Sequence, residues 1–138
     1  NILKMKKHIL FVCKHNRFRS KIAEAIFKKL NKNRNFKAKS AGIIKSNQIN
    51  LLQKKLAEKL GIRINNSSIG ISADILSWAD IIIIAADDVP ISLFNEQKKN
   101  KKLILWKIPD SKRNNLKDIF KIIKMIENKV VDFITVLK

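Results

Sequence analysis

Cysteine, glycine, proline and acidic residues are all scarce in this chain. Its single cysteine, Cys13, excludes an internal disulfide framework and any zinc site built on several thiolates. What remains is a cytosolic-type thiol, either core filler or a reagent. Three glycines and two prolines leave no flexible linker, and no repeat is visible. The 138 residues therefore read as one domain, 1–138, long enough to bury a core without staples. No apolar run approaches the roughly 20 residues of a membrane-spanning helix, and the longest, Ile81 to Ala86, has strand length. The opening residues lack a secretory apolar stretch and cleavage site, which predicts a cytoplasmic protein. Asn1 is not an initiator, so Met5 is the expected native start and residues 1–4 are taken as extraneous. Tyrosine is absent altogether.

Against 11 acidic side chains stand 30 basic ones, a formal net charge of +19. Residues 1–69 carry 18 Lys or Arg with only Glu24 and Glu58, while residues 70–138 hold 12 basic against 9 acidic. The excess thus belongs to the first half. A basic half suits nucleic acid, an acidic membrane surface or an anionic small substrate. Lys, Asn and Ile are over-used throughout, so much of the charge is compositional. With 46% apolar residues, the chain is not a disordered basic tail.

Hydrophobic spacing alternates between two periods. His8 to Val12 is a short apolar run fit for a buried parallel strand, and Ser20 to Lys32 follows with Ile22, Ile26 and Leu30 at helical spacing. Phe36 to Ser40 alternates as a strand. Ile49 to Leu60 places Leu52, Leu56 and Leu60 on one helical face, with Gly61 as a stop. A short helix from Ser72 to Trp78 leads into the strand Ile81 to Ala85. Pro90 opens a predicted helix to Lys98, Leu103 to Trp106 is a fourth strand, and Asn114 to Leu137 is a long final helix. Regular alternation of strand and helix predicts an α/β fold, an open parallel sheet with helices on both faces. Ligands in such sheets sit beyond the carboxyl ends of the strands, where the first strand enters the first helix. His8, Trp78 and Trp106 read as core or rim residues.

The segment at that position is Cys13-Lys14-His15-Asn16-Arg17-Phe18-Arg19-Ser20. Given this composition, an Arg and then a Ser or Thr at those offsets from the cysteine has a chance probability of roughly 0.3%. The spacing suits one chemistry. A five-residue loop can turn its backbone N–H groups inward around a tetrahedral oxyanion, and the arginine closes the ring with a bidentate fork onto two oxygens. The same dipoles stabilise a thiolate. Cys13 is then a nucleophile beneath a phosphorus atom, with Ser20 placed to donate to the sulfur and improve it as a leaving group.

The run Ile9-Leu10-Phe11-Val12-Cys13 through Arg19-Ser20, continuing Ile22-Ala23-Glu24-Ala25, resembles the signature of the low-molecular-weight protein tyrosine phosphatases. Ser40-Ala41-Gly42 and Ala79-Asp80 fit as well, so the resemblance spans essentially the whole chain. It implies a three-layer α/β/α fold with a four-stranded parallel sheet in the flavodoxin-like order 2-1-3-4. It also implies hydrolysis of phosphotyrosine or aryl phosphate monoesters through a cysteinyl phosphate, without metal or cofactor. Cys13 and Arg19 become catalytic, with Lys14, His15, Asn16, Arg17, Phe18 and Ser20 binding phosphate and Ser40 supporting Asn16. The family's acid lies on the loop after the fourth strand, which makes Asp110 the candidate, with Asp87 and Asp88 as competitors.

Three departures stand out. His15 occupies a position where the family usually has glycine, as in a variant found among arsenate-reducing relatives. Phe18 replaces a second loop cysteine, so Cys13 has no partner for a protective disulfide. Ser111 and Lys112 follow Asp110 where the family has proline and an aromatic, leaving Phe18 or Trp106 as the expected substitute wall. Two alternatives accompany the phosphatase reading: arsenate reduction with an external low-molecular-weight thiol, and a basic nucleic-acid-binding module. The latter is disfavoured because no recognisable basic-aromatic motif is present. The expected partner is a phosphorylated protein or aryl phosphate, met by a monomer away from membranes.

Overall fold

The computed structural model describes residues 7–46, 48–112 and 114–137; the expected start at Met5 and the residues before it lie outside them. Four strands, β1 (Lys7–Cys13), β2 (Phe36–Gly42), β3 (Ile81–Ala85) and β4 (Lys102–Trp106), form one parallel sheet in the order β2-β1-β3-β4. This is the predicted 2-1-3-4 arrangement. The helices are α1 (Arg19–Leu30), α2 (Leu51–Lys59), α3 (Ala73–Trp78) and α4 (Leu116–Val136).

Strand alternation divides the core into two layers. Ile9 and Phe11 of β1, with Ile81, Ile83 and Ala85 of β3, face α1, α2 and α4. Leu10, Val12 and Cys13, with Ile82 and Ile84, face the other side, where Ile75 of α3 and Phe94 close the layer. Both faces of β1 and β3 are covered, which explains their uninterrupted apolar composition. α4 buries Ile119, Ile122, Ile123, Ile126, Val130 and Phe133, the stripe its periodicity predicts.

One predicted element is absent in that form. The segment after Pro90 is two short 3₁₀ turns, Ile91–Phe94 and Gln97–Lys99, in place of a helix to Lys98. Only Phe94 is buried there, while Ile91 and Leu93 are exposed, so no apolar face stabilises a longer helix.

Trp106, expected as a possible wall of the site, packs inward instead. It is 5% exposed and sits beside Phe11 and Phe133, with centroids 5.8 and 6.3 Å away. The pleat at the end of β4 turns its ring to the α1/α4 layer. His8 and Trp78 stack at 4.4 Å with an interplanar angle of 4°, and the His8 ring also meets the Trp78 carbonyl at 3.0 Å. These two are rim residues at the far end of the sheet from Cys13.

Candidate active site

Cys13 is the last residue of the central strand, paired in register with Gly42 of β2. Residues 14–18 then loop back to the N-terminus of α1. That terminus has no side-chain cap and no acidic residue in its first turn, so its N–H groups are not competed for by the helix's own side chains.

Beneath the loop lies a buried polar network. Asn16 is fully buried and adopts the left-handed conformation, with φ 54°, a geometry that asparagine tolerates better than most residues. Its Nδ2 donates to Ser20 Oγ at 2.8 Å and to Ser40 Oγ at 2.9 Å, and its Oδ1 accepts from the Ile69 N–H at 2.9 Å. The Cys13 sulfur lies 3.0 Å from Ser20 Oγ and accepts from the Asn16 backbone N–H at 3.3 Å. Ser40 in turn donates to Glu24 Oε1 at 2.6 Å. From the facing loop, Ser68 Oγ donates to the His15 carbonyl at 2.8 Å.

Gly42 explains itself here. A Cβ at this position would stand 2.6 Å from both the Asn16 nitrogen and the His15 carbonyl carbon, backbone atoms that cannot turn aside. Gly42→Ala is therefore expected to destabilise the fold by about 1–3 kcal/mol through overpacking and to weaken phosphate binding by displacing the loop. Thermal unfolding with and without phosphate measures both effects, and an unchanged response to phosphate would show that the loop tolerates the methyl group.

Arg19 is 3% exposed and its guanidinium is held on several sides. Nη1 donates to the Ile108 carbonyl at 2.9 Å, and Nη2 donates to both Asp88 oxygens at 2.9 and 3.2 Å. Asp87 lies 3.6 Å from Nη1 and Asp110 3.9 Å from Nε. The three acids weighed from sequence thus converge on one cation, with Asp88 its closest partner.

These elements border a cavity of about 320 Å³ lined by Cys13, His15, Arg17, Arg19, Gln53 and Asp110, among others. Asp110 and Ser111 come from the loop after β4, and Gln53 of α2 donates to Ser111 Oγ at 2.7 Å. Burial first, then the charges of Arg17 and Lys14, lowers the His15 pKa from its ordinary value, against the opposing pull of Asp110 and Asp88. The shift favours the neutral ring. Lys14 is exposed and does not border the cavity; its carbonyl accepts from Ile44 N–H at 2.9 Å. Phe18 borders the cavity but is 3% exposed, with its ring in the α1 layer of the core. Neither Phe18 nor Trp106 is a free stacking wall, which corrects the expectation that one of them replaces the missing aromatic. Asn16 and Ser20 lie under the floor, outside the cavity lining.

Sequence reading did not single out Gln53 or Ser68 as neighbours of this site and gave Glu24 no role in it, whereas Lys21 counts among the basic residues it places around the thiol. Lys21 is 5% exposed, donates to Asn65 Oδ1 at 2.6 Å, and has its pKa lowered mainly by desolvation. No local signal marks the first two, whose contacts reach across distant segments; Glu24 lies about one turn from Ser20 along α1 and could have been flagged as a polar residue on a largely buried helix face.

No curated protein matches the sequence significantly, but solved structures match its fold. An arsenate reductase from Archaeoglobus fulgidus is 24% identical over 92% of this chain and 98% of its own, with a TM-score of 0.73. The YwlE arginine phosphatase from Geobacillus stearothermophilus is 19% identical over 94% and 91%, with a TM-score of 0.79. SP-PTP, a low molecular weight protein tyrosine phosphatase from Streptococcus pyogenes, is 20% identical over 96% and 93%, also at 0.79. Identities this low carry the fold, and three activities share it. The sequence model described as low molecular weight phosphotyrosine protein phosphatase matches residues 8–138. From β1 through α4, this chain belongs to the low molecular weight phosphotyrosine protein phosphatase family.

Proposed function

We propose that the protein hydrolyses phosphate monoesters of aryl alcohols, with phosphotyrosine in proteins as the preferred substrate, through a phosphorylated Cys13. The observation that carries this reading is the Cys13 sulfur, 3.0 Å from Ser20 Oγ, in a cavity that Arg19 and Asp110 also line. In the first step the thiolate attacks phosphorus and the ester P–O bond breaks, while the Asp110 carboxyl protonates the leaving phenolate. Arg19 and the loop N–H groups hold the phosphoryl oxygens as charge builds on them. In the second step the Asp110 carboxylate takes a proton from water and the water oxygen bonds to phosphorus. The S–P bond then breaks with its electron pair returning to sulfur, and inorganic phosphate leaves. None of these roles calls on a metal or cofactor. The reading places a monomer in the cytoplasm, acting on phosphorylated proteins.

Charge on the cavity wall bears on the leaving group. Arg17 lines the cavity and forms no ion pair among the described residues. A cationic leaving group, such as the guanidinium of phosphoarginine, would meet this like charge at close range. A neutral phenol bears no such penalty, and acidic residues flanking a phosphotyrosine are attracted. Arsenate reduction needs a thiol from outside, because Cys13 is the chain's one cysteine.

A side-by-side assay of peptides bearing phosphotyrosine, phosphoserine or phosphoarginine, with arsenate plus an external thiol as a fourth arm, tests the reading. The phosphotyrosine peptide is expected to give the highest kcat/KM, and Arg17→Gln to narrow its lead over phosphoarginine. Highest turnover in the arsenate arm would reassign the chemistry. No turnover in any arm, with salt-sensitive binding to nucleic acid, would return the binding-module reading.

A further inference from the structure

We propose that Glu24 is a positioning residue for the Cys13 nucleophile, acting through Ser40 and Asn16 to fix the direction of the Ser20 hydroxyl proton. The inference rests on the covalent reading above, and it follows from counting donors and acceptors along one hydrogen-bonded chain.

The Asn16 amide has only one possible orientation. Its oxygen accepts from the Ile69 backbone N–H, so the Nδ2 group faces both serines and spends one hydrogen on each. Ser40 oxygen is thereby an acceptor, and its own proton goes to the Glu24 carboxylate at 2.6 Å, a group that only accepts when ionised. Ser20 oxygen is likewise an acceptor, and its proton points to the one remaining neighbour, the Cys13 sulfur at 3.0 Å. Asn16 thus feeds two hydroxyls, and each directs its own proton outward, toward the Cys13 sulfur at one end and the Glu24 carboxyl group at the other.

Glu24 is itself held. Its second oxygen accepts from Lys28 Nζ at 2.6 Å, one helical turn along α1, and the carboxylate is only partly exposed while Lys28 is open to solvent. Without the carboxylate, the buried Ser40 hydroxyl loses its acceptor and is free to rotate away from Asn16. Asn16, at φ 54°, then loses one of the side-chain bonds that keep it in a sparsely populated conformation. Ser20 is most important when sulfur must leave phosphorus, so the second chemical step is the one that should slow.

The test uses p-nitrophenyl phosphate burst kinetics together with alkylation of the native protein by iodoacetamide, which reports on one site because the chain has a single cysteine. Glu24→Ala is expected to lower kcat on the order of tenfold, the scale of one hydrogen bond to a charged group. KM should change less, more phosphoenzyme should accumulate, and alkylation should slow. Glu24→Gln, which keeps an oxygen acceptor, should stay within about twofold of the parent on this reasoning, and Lys28→Ala should resemble the parent because exposed pairs contribute little. In a double-mutant cycle, Glu24→Ala should add nothing to Ser40→Ala. A merely structural role would lower thermal stability without changing the burst. Parental burst and alkylation in Glu24→Ala, or losses that add in the double mutant, would overturn the proposal. If the parent proves inactive on every phosphate ester, the functional reading fails, while the alkylation cycle still decides the role of Glu24.

Discussion

Cys13→Ser is expected to abolish turnover of aryl phosphates, with a loss on the order of 10⁶-fold in kcat, comparable to removing a covalent nucleophile that works as part of a unit. The substitution removes one polarizable atom and little else. Its position at the end of β1, paired in register with Gly42 of β2, should keep the fold, so thermal stability should change little. Binding should survive too, because the loop N–H groups and Arg19 are untouched, and phosphate or vanadate should still raise the melting temperature by mass action. Hydroxyl oxygen cannot replace sulfur in this setting. A serine there holds its proton at neutral pH, and no base touches that position to take it: its neighbours, the Ser20 hydroxyl and the Asn16 backbone N–H, are both donors toward it. Residual turnover in this variant would rule out the cysteinyl intermediate, and loss of phosphate binding along with turnover would mean that the loop had collapsed.

The next largest effect is expected at Asp110. Asp110→Asn should reduce kcat with a phosphotyrosine peptide by about 10² to 10⁴, the usual span for general acid catalysis. The loss should shrink with p-nitrophenyl phosphate, whose leaving group needs less help from a proton. Asp110 borders the cavity and stands 3.9 Å from Arg19 Nε, outside hydrogen-bonding distance. Its competitor Asp88 is committed to Arg19 Nη2 through both oxygens, and Asp87 also faces the guanidinium. Asp88→Asn should therefore alter phosphate affinity, read as KM and as the inhibition constant of vanadate, with a smaller change in kcat. A kcat loss confined to Asp87 or Asp88 would move the acid to that residue.

Much of this was legible before the structure, and the reason is local. Parallel strands buried on both faces are written as short apolar runs, so β1 and β3 announce themselves, and a Cys with Arg and Ser at fixed offsets marks the loop between strand and helix. What stayed hidden depends on contacts between distant segments. Nothing near Gly42 says that the loop backbone will lie 2.6 Å from where a Cβ at this position would stand. Nothing near Asp88 reveals a buried arginine 69 residues away. Trp106 could be placed on β4 but not assigned a face, because the run from Leu103 to Trp106 is apolar throughout and carries no alternation to separate the two layers. The segment after Pro90 lacked the one feature a helix needs beyond a good start, a continuous apolar stripe.

The location of Cys13 in the central strand has a dynamic consequence. A side chain built into a hydrogen-bonded strand with covered faces cannot shift without disturbing the sheet, so its fluctuations are tied to the global opening of the protein. Asp110 belongs to the other extreme: it is 47% exposed, it sits on the irregular segment between β4 and α4, and its Oδ1 accepts the adjacent Ser111 N–H at 3.0 Å. Hydrogen exchange should separate the two, with Val12 and Cys13 amides among the slowest and those around Asp110 among the fastest. On the proposed reading, the phosphate site is a fixed anvil, and adaptation to different leaving groups falls to the loop that carries Asp110.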